Sequence, residues 1–182
     1  GCIYIWGNIS IYVTSYLRHF DDSVTLESSF IVLPIHIMTS NITIIVGSEI
    51  CLRLGPRAAT SIGGAVFTLG VFVSSYMEEF YSFVIIYSVT FGFGCGLIYL
   101  APLLTAWTYF PNRKGLLSGV IVSGFGFGSA IFNEIATILI NPENEEPGIE
   151  IENGEVTEYY YNWEIAQHVP NMLRTIVAIW VV

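Results

Sequence analysis

Residues 107–132 read WTYFPNRKGLLSGVIVSGFGFGSAIF. Pro111, Asn112, Arg113 and Lys114 are hostile to a buried helix, yet they stand between two long apolar runs. The second run carries Gly115, Gly119, Gly124, Gly126 and Gly128. Proline ends the first helix because it has no N–H to donate and its ring clashes with the preceding turn. So short a link makes the two flanking helices antiparallel neighbours. Gly115 and Gly119, like Gly124 and Gly128, stand four apart and share a helix face, where the lack of side chains lets another backbone approach closely. The stretch therefore predicts two helices joined by a basic turn, the second with a small-residue face that packs, slides or rocks against a partner.

Composition says where such helices live. Hydrophobic residues make up 53% of the 182 and charged residues 12%, against about 25% charged in an ordinary soluble domain. Mean hydropathy is +0.64. Apolar runs recur at about 2–17, 30–52, 58–77, 80–109, 115–140 and 169–182. Most reach the roughly 20 residues that a helix needs to cross a hydrocarbon core of about 30 Å. Barrel strands would be about 10 residues long and alternate strictly, which these runs do not. The fold class expected is all-α, a polytopic membrane helical bundle.

No Met opens the chain, Gly1 already lies in an apolar run, and the run at 169–182 stops after a length too short to span. The expectation is one N-terminal unit over 1–182, with five nearly complete helices and the start of a sixth, followed by a second half. No basic segment with a cleavage site precedes the first run, so it is not read as a signal peptide.

The six basic residues orient the bundle. Arg53 and Arg57 fall between the second and third helices, Arg113 and Lys114 between the fourth and fifth. Lys and Arg collect on the cytosolic side, so loops 53–57 and 111–115 are expected there and the long loop 141–168 on the outer or lumenal side. Asp21, Asp22, Glu27, Glu78, Glu79 and the eight glutamates from Glu143 to Glu164 all fall on the loops thus placed outside. The net charge of −9 is therefore an outer-surface charge. Nucleic acid, which calls for a basic face, is excluded as a partner; the lipid bilayer is implied.

Around the opening stretch the residues resemble a known family. GCGLIYLAPLLTAWTYFPNRKGLLSGVIVSGFGFGSAIF is similar to the fourth and fifth helices of the major facilitator superfamily, most of all its oxalate/formate antiporter-like branch, related to the monocarboxylate transporters. The matching residues are Gly94, Gly96 and Tyr99, the turn Tyr109 to Gly115, and Gly124-Phe125-Gly126-Phe127-Gly128. GCIYIWG at 1–7 resembles the branch's first helix, and LRLGPR at 52–57 the superfamily's loop between helices two and three. Three departures stand out. Leu52 takes the place of that loop's aspartate and Ser48 of its first glycine, which puts a charge latch there in doubt; Glu49, one turn away, is a candidate substitute. Tyr109 replaces the usual tryptophan, with Trp107 close by.

The resemblance implies two six-helix halves related by pseudo-two-fold symmetry, with substrate held between them near the membrane midplane and access alternating by rocking. It implies secondary transport of a small organic anion, a mono- or dicarboxylate, by symport or antiport, with the basic groups that pair with the carboxylate lying largely in the other half. This half would supply an aromatic and hydroxyl lining: Tyr4, Trp6 and Tyr99 match motif positions, and a phenol offers both a donor and a flat apolar wall. The plain alternative is that these aromatics pack or anchor at interfaces. A carrier of another solute, such as a sugar or drug, and a non-transporting membrane receptor are the rival readings, since fold does not fix function.

Ionisable residues inside spans are costly and point to function by default. Glu134, toward the outer end of helix five, either reaches water or carries a proton. His36, about two turns into helix two, is either a hydrogen-bonded structural histidine or a titrating group. Glu49 is a gate residue or an ion-pair partner for Arg53 or Arg57. Arg174 either snorkels or attracts an anion. Cys2, Cys51 and Cys95 have no metal-binding or disulfide spacing. Asn8 and Asn41 open glycosylation triplets, but inside spans. No phosphate-binding loop, metalloprotease motif or nucleophile elbow is present, so neither an enzyme nor a cofactor is expected.

The loop NPENEEPGIEIENGEVTEYYYNW at 141–163 carries Ile149, Ile151 and Val156 around Asn153-Gly154, a hairpin signal. An isolated ribbon rich in glutamate is marginal in water, so an acidic lid is expected, with Tyr159, Tyr160, Tyr161 and Trp163 forming an interfacial aromatic belt.

Overall fold

A computed structural model describes residues 2–153 and 156–181. A short 3-10 turn, Cys2–Ile5, leads into α1 (Trp6–Arg18). A one-turn helix α2 (Leu26–Ser29) precedes α3 (Val32–Leu54) and α4 (Pro56–Ser74). The next long helix is interrupted: α5 (Phe80–Ile85) passes through a π turn at Ile86–Thr90 into α6 (Phe91–Tyr109). A 3-10 turn, Pro111–Arg113, joins it to α7 (Lys114–Ile140). Strands β1 (Ile149–Asn153) and β2 (Val156–Tyr160) form an antiparallel ribbon, and α8 (Trp163–Ala166) and α9 (Val169–Val181) follow.

The fold class is all-α and polytopic. Among the described residues, four stretches are long and apolar enough to cross a membrane: Leu26–Leu54, Pro56–Ser74, Phe80–Tyr109 and Pro111–Ile140. Most large apolar side chains on α3 and α7 face outward, as the lipid-facing surface of a membrane bundle requires. Ile42, Ile45, Leu116, Phe127 and Ile138 are all exposed.

Local chemistry sets the boundaries. Gly55 adopts φ +89°, a region open to glycine and strained for other residues. Pro56 follows at the first position of α4, where its missing N–H costs nothing. The chain therefore turns sharply from α3 into α4 within the LRLGPR motif.

The bundle is built around α6, and glycine is the reason. Gly92 and Gly96, four apart, meet α3; Gly94, on the opposite side, meets α4. A Cβ on Gly94 would stand 2.6 Å from the Gly63 carbonyl oxygen, and one on Gly47 would stand 2.6 Å from the Cα of Leu97. These are true small-residue contacts between backbones.

The glycines of α7 behave differently. A Cβ on Gly115, Gly119, Gly124 or Gly126 would meet nothing within 4 Å. At these four positions the expected close approach to a partner backbone is not made among the described residues. Helix α7 is instead fixed to its neighbours at scattered points. Trp107 Nε1 donates to Ser118 Oγ at 2.9 Å beside the basic turn, and Asn8 Nδ2 donates to Thr137 Oγ1 at 2.9 Å from α1.

The ribbon is a docked cap rather than a free lid. Ile149 pairs with Tyr160 and Ile151 with Glu158; the Gly154 of the expected turn lies outside the described residues. Tyr160 is 1% exposed, with the Arg18 guanidinium 4.8 Å above its ring. Its hydroxyl donates to Glu158 and accepts from the Leu26 N–H at 3.3 Å. Tyr161 stacks on Tyr12 at 4.4 Å, its N–H donating to Ser15 Oγ, while Trp163 stacks on His19 at 3.9 Å. The expected aromatic belt thus divides: Tyr159 and Trp163 stay exposed, while Tyr160 is buried against α1 and the 19–31 loop. A ribbon too weak alone is stable here because its aromatics bury against a helix end.

Candidate functional site

The stripes that line a cavity between α3, α6 and α7 are helical in spacing. His36 and Ser40 lie four apart on α3; Phe91, Cys95, Ile98 and Tyr99 follow one face of α6; Val122, Phe125 and Gly126 share a face of α7. With Tyr4 and Phe67 they enclose a cavity of about 550 Å³. Tyr99 of α6 and Phe125 of α7 face each other on its wall, ring centroids 5.7 Å apart.

Two irregularities bracket the cavity on α6. The π turn lies just before Phe91, and such bulges concentrate at functional sites. Pro102 sits inside the helix and withholds the N–H that the Ile98 carbonyl would otherwise receive. A cavity-lining turn is thereby left with a spare acceptor.

The chemistry of the wall is simple. Phe67, Phe91 and Phe125 supply flat apolar surface, while the polar groups are the Tyr4 and Tyr99 hydroxyls, Ser40 and the His36 imidazole; among the described residues no Asp, Glu, Lys or Arg lines the space. Such a chamber receives a small solute with one polar end and one apolar end.

Of the sequence candidates, Tyr4 and Tyr99 line the cavity together, both partly open to it at 66% and 38% exposure. Trp6 does not. It is buried, 5.3 Å from Tyr87 and 6.2 Å from Phe83, and borders a narrow adjoining slot. His36 borders both spaces, is 2% exposed, and packs edge-on against Phe91. Glu134 is exposed on α7 and lines neither space. Glu49 pairs with Arg53 at 2.5 Å on an open surface, and Arg57 is exposed nearby. Arg174 is engaged: its Nε donates to Ser75 Oγ at 3.0 Å, and its guanidinium lies 4.1 Å over the Tyr76 ring.

Sequence reasoning missed Ser40, Phe67, Phe91, Cys95 and Phe125 as wall residues. The signal available was the i, i+4 relation of Ser40 to His36 and of Phe91 and Cys95 to Tyr99.

The chain is 28% identical to the apicoplast pyruvate carrier 1 of Toxoplasma gondii across 96% of this chain and 39% of that protein. It is 32% identical to human monocarboxylate transporter 14 over 56% of this chain and 21% of that one. The chain is thus similar in sequence to transporters named for pyruvate and for monocarboxylates. An agnestins efflux protein of Paecilomyces divaricatus is a further relative, 30% identical over 46% of the chain. No family model matches the chain, and no solved structure does. The chain spans 39% of the pyruvate carrier and about a fifth of human transporter 14. The relationship agrees with the major facilitator motifs read at 94–128, and a multi-pass membrane protein is what the four apolar spans describe.

Proposed function

We propose that the chain is the N-terminal part of a secondary active carrier that moves a small organic anion, a mono- or dicarboxylate, by alternating access with proton coupling or exchange. The observation that carries this is the aromatic-walled cavity with Tyr4 and Tyr99 on its surface, at the positions where the resemblance places the substrate path. The names of the pyruvate carrier and the monocarboxylate transporter support the cargo class. Loops 53–57 and 111–115 face the cytosol in this reading, and 141–168 faces outside or a lumen. The open glycine face of α7 meets the second half of the transporter, which contributes the charge that pairs with the anion. The efflux relative supports a second reading, a carrier of the same architecture for another organic solute.

The test is uptake by the full-length protein in proteoliposomes of labelled pyruvate, lactate, oxalate and formate, with and without an inward proton gradient. Gradient-driven uptake or counterflow of any of the four supports the proposal. Specific binding without flux would favour a receptor, and neither binding nor flux would sink the anion assignment.

A further inference from the structure

The least satisfied group in the cavity region is the imidazole of His36. It is 2% exposed, its Nε2 has no hydrogen-bond partner among the described residues, and it borders the cavity beside Ser40, the residue one turn along α3. A buried ring nitrogen without a partner is costly, and one kept beside a solute-sized cavity is a group that waits for the solute. The cover over it is specific. The Phe91 ring stands at 72° to the imidazole with centroids 4.9 Å apart, and Phe91 is the first residue after the π turn at Ile86–Thr90. The backbone beneath His36 is fixed, because Gly92 presses against its carbonyl. The ring is therefore held in place while its cover hangs from the least regular turn of the helix.

We infer that His36 is the carboxylate-recognising donor of this half, its Nε2–H shielded by Phe91 in the state described and turned to the anion when substrate enters and the π turn shifts. A neutral imidazole suits the task. It donates a hydrogen bond to a carboxylate without holding a buried charge when the cavity is empty. Release then re-covers the donor, so the residue contributes to binding in one state and not in the other, as alternating access requires. Trp6 Nε1, a second buried donor without a partner, borders the slot that His36 also borders.

This inference rests on the transport reading above, and its test separates the two. The full-length protein in proteoliposomes is loaded with labelled pyruvate, and unlabelled pyruvate competes against pyruvamide, which has the same shape without the charge. For the wild type, pyruvate is expected to compete about tenfold better than pyruvamide, the factor of one hydrogen bond to a charged group. His36→Leu should lower that preference severalfold through a raised KM, the remainder coming from the cation of the second half, whereas His36→Gln, which keeps an N–H, should retain it in full. Full preference in His36→Leu would overturn the inference while leaving the carrier reading intact. Equal loss in both variants against both competitors would also overturn it, as the sign of a structural role. Absence of flux for every anion in the wild type would instead overturn the carrier reading, and the inference with it.

Discussion

Gly92 stands against the backbone of His36, so close that a Cβ built on the glycine would lie 2.6 Å from the His36 carbonyl oxygen. Helices α3 and α6 thus touch main chain to main chain beside the cavity, and the residue that borders it is placed by a residue with no side chain. Gly92→Ala forces the helices apart, and overpacking of this kind costs about 1–3 kcal/mol. The expected result is an earlier thermal loss of the monodisperse peak in size-exclusion chromatography, together with reduced transport. Gly64→Ala is the control: its Cβ meets nothing within 4 Å, so the substitution should be neutral or stabilising by up to about 1 kcal/mol.

Tyr99 offers the cavity both a ring and a hydroxyl, and two substitutions separate them. Tyr99→Ala removes the wall that faces Phe125 and is expected to raise the KM for pyruvate about tenfold or more. Tyr99→Phe keeps the wall, and a single lost hydrogen bond of about 1 kcal/mol should raise the KM roughly fivefold with Vmax retained. Equal kinetics for wild type and both variants would remove Tyr99 from the path.

The sequence made the bundle legible because hydrophobic run length and the positions of Pro56, Pro111 and Gly55 are local signals. It also marked Tyr4 and Tyr99, which fall on motif positions and do line one cavity. What stayed hidden was relational. Gly92 and Gly115 look alike in a sequence, yet one touches a neighbouring backbone and the other meets open space. Trp6 matches the motif but turns into the core. The π turn has no compositional mark, since Ile86–Thr90 is as apolar as its surroundings. The cap was misread because the pull of α1 on Tyr160 and Tyr161 comes from residues more than 130 positions away.

The cap gives a pH signature. Burial, aided by the hydrogen bond to Glu158, pushes the Tyr160 phenol up to about 12 from the usual value near 10. A folded-state value above the unfolded one means the contribution to stability is complete below about pH 10 and is lost as pH rises toward 12. Tyrosinate absorbance should therefore rise in two steps, with the last phase accompanied by faster proteolysis of the 141–168 segment. Tyr160→Phe should shrink the late phase, to which the Tyr161 phenol, also pushed up by burial, contributes the rest, and leave transport at neutral pH within twofold of wild type.

The surface pair Glu49–Arg53 invites a gate role, but its geometry is that of an exposed i, i+4 pair, with side chains 54% and 76% open. Such pairs contribute about 0.3–0.5 kcal/mol and weaken with salt. Glu49→Gln is expected to change thermal stability by no more than that. A carrier in which this acid replaces the missing latch aspartate would show more, namely a shift in the balance between inward- and outward-facing states. Cysteine accessibility from each side of the membrane reads that balance, and an unchanged ratio in Glu49→Gln is the outcome expected from the ion-pair geometry.

Arg174 is the clearest case of a charge whose role is decided by its partners. Its guanidinium donates to both the hydroxyl and the carbonyl of Ser75, at 3.0 and 3.4 Å, while lying over Tyr76. Ser75 closes α4, so the cation sits where a helix C-terminus concentrates negative partial charge. It thereby ties α9 to α4. A residue occupied in this way has little left to offer an anion approaching from solution. Arg174→Lys keeps the charge but loses the planar fork, and a role in steering would survive that exchange while a role in the tie would not. The expected outcome is a loss of about 1–3 kcal/mol in stability for both Arg174→Lys and Arg174→Leu, with the salt dependence of the pyruvate KM unchanged in either. A KM that rises in Arg174→Leu alone, and only at low salt, would instead assign the residue to anion attraction.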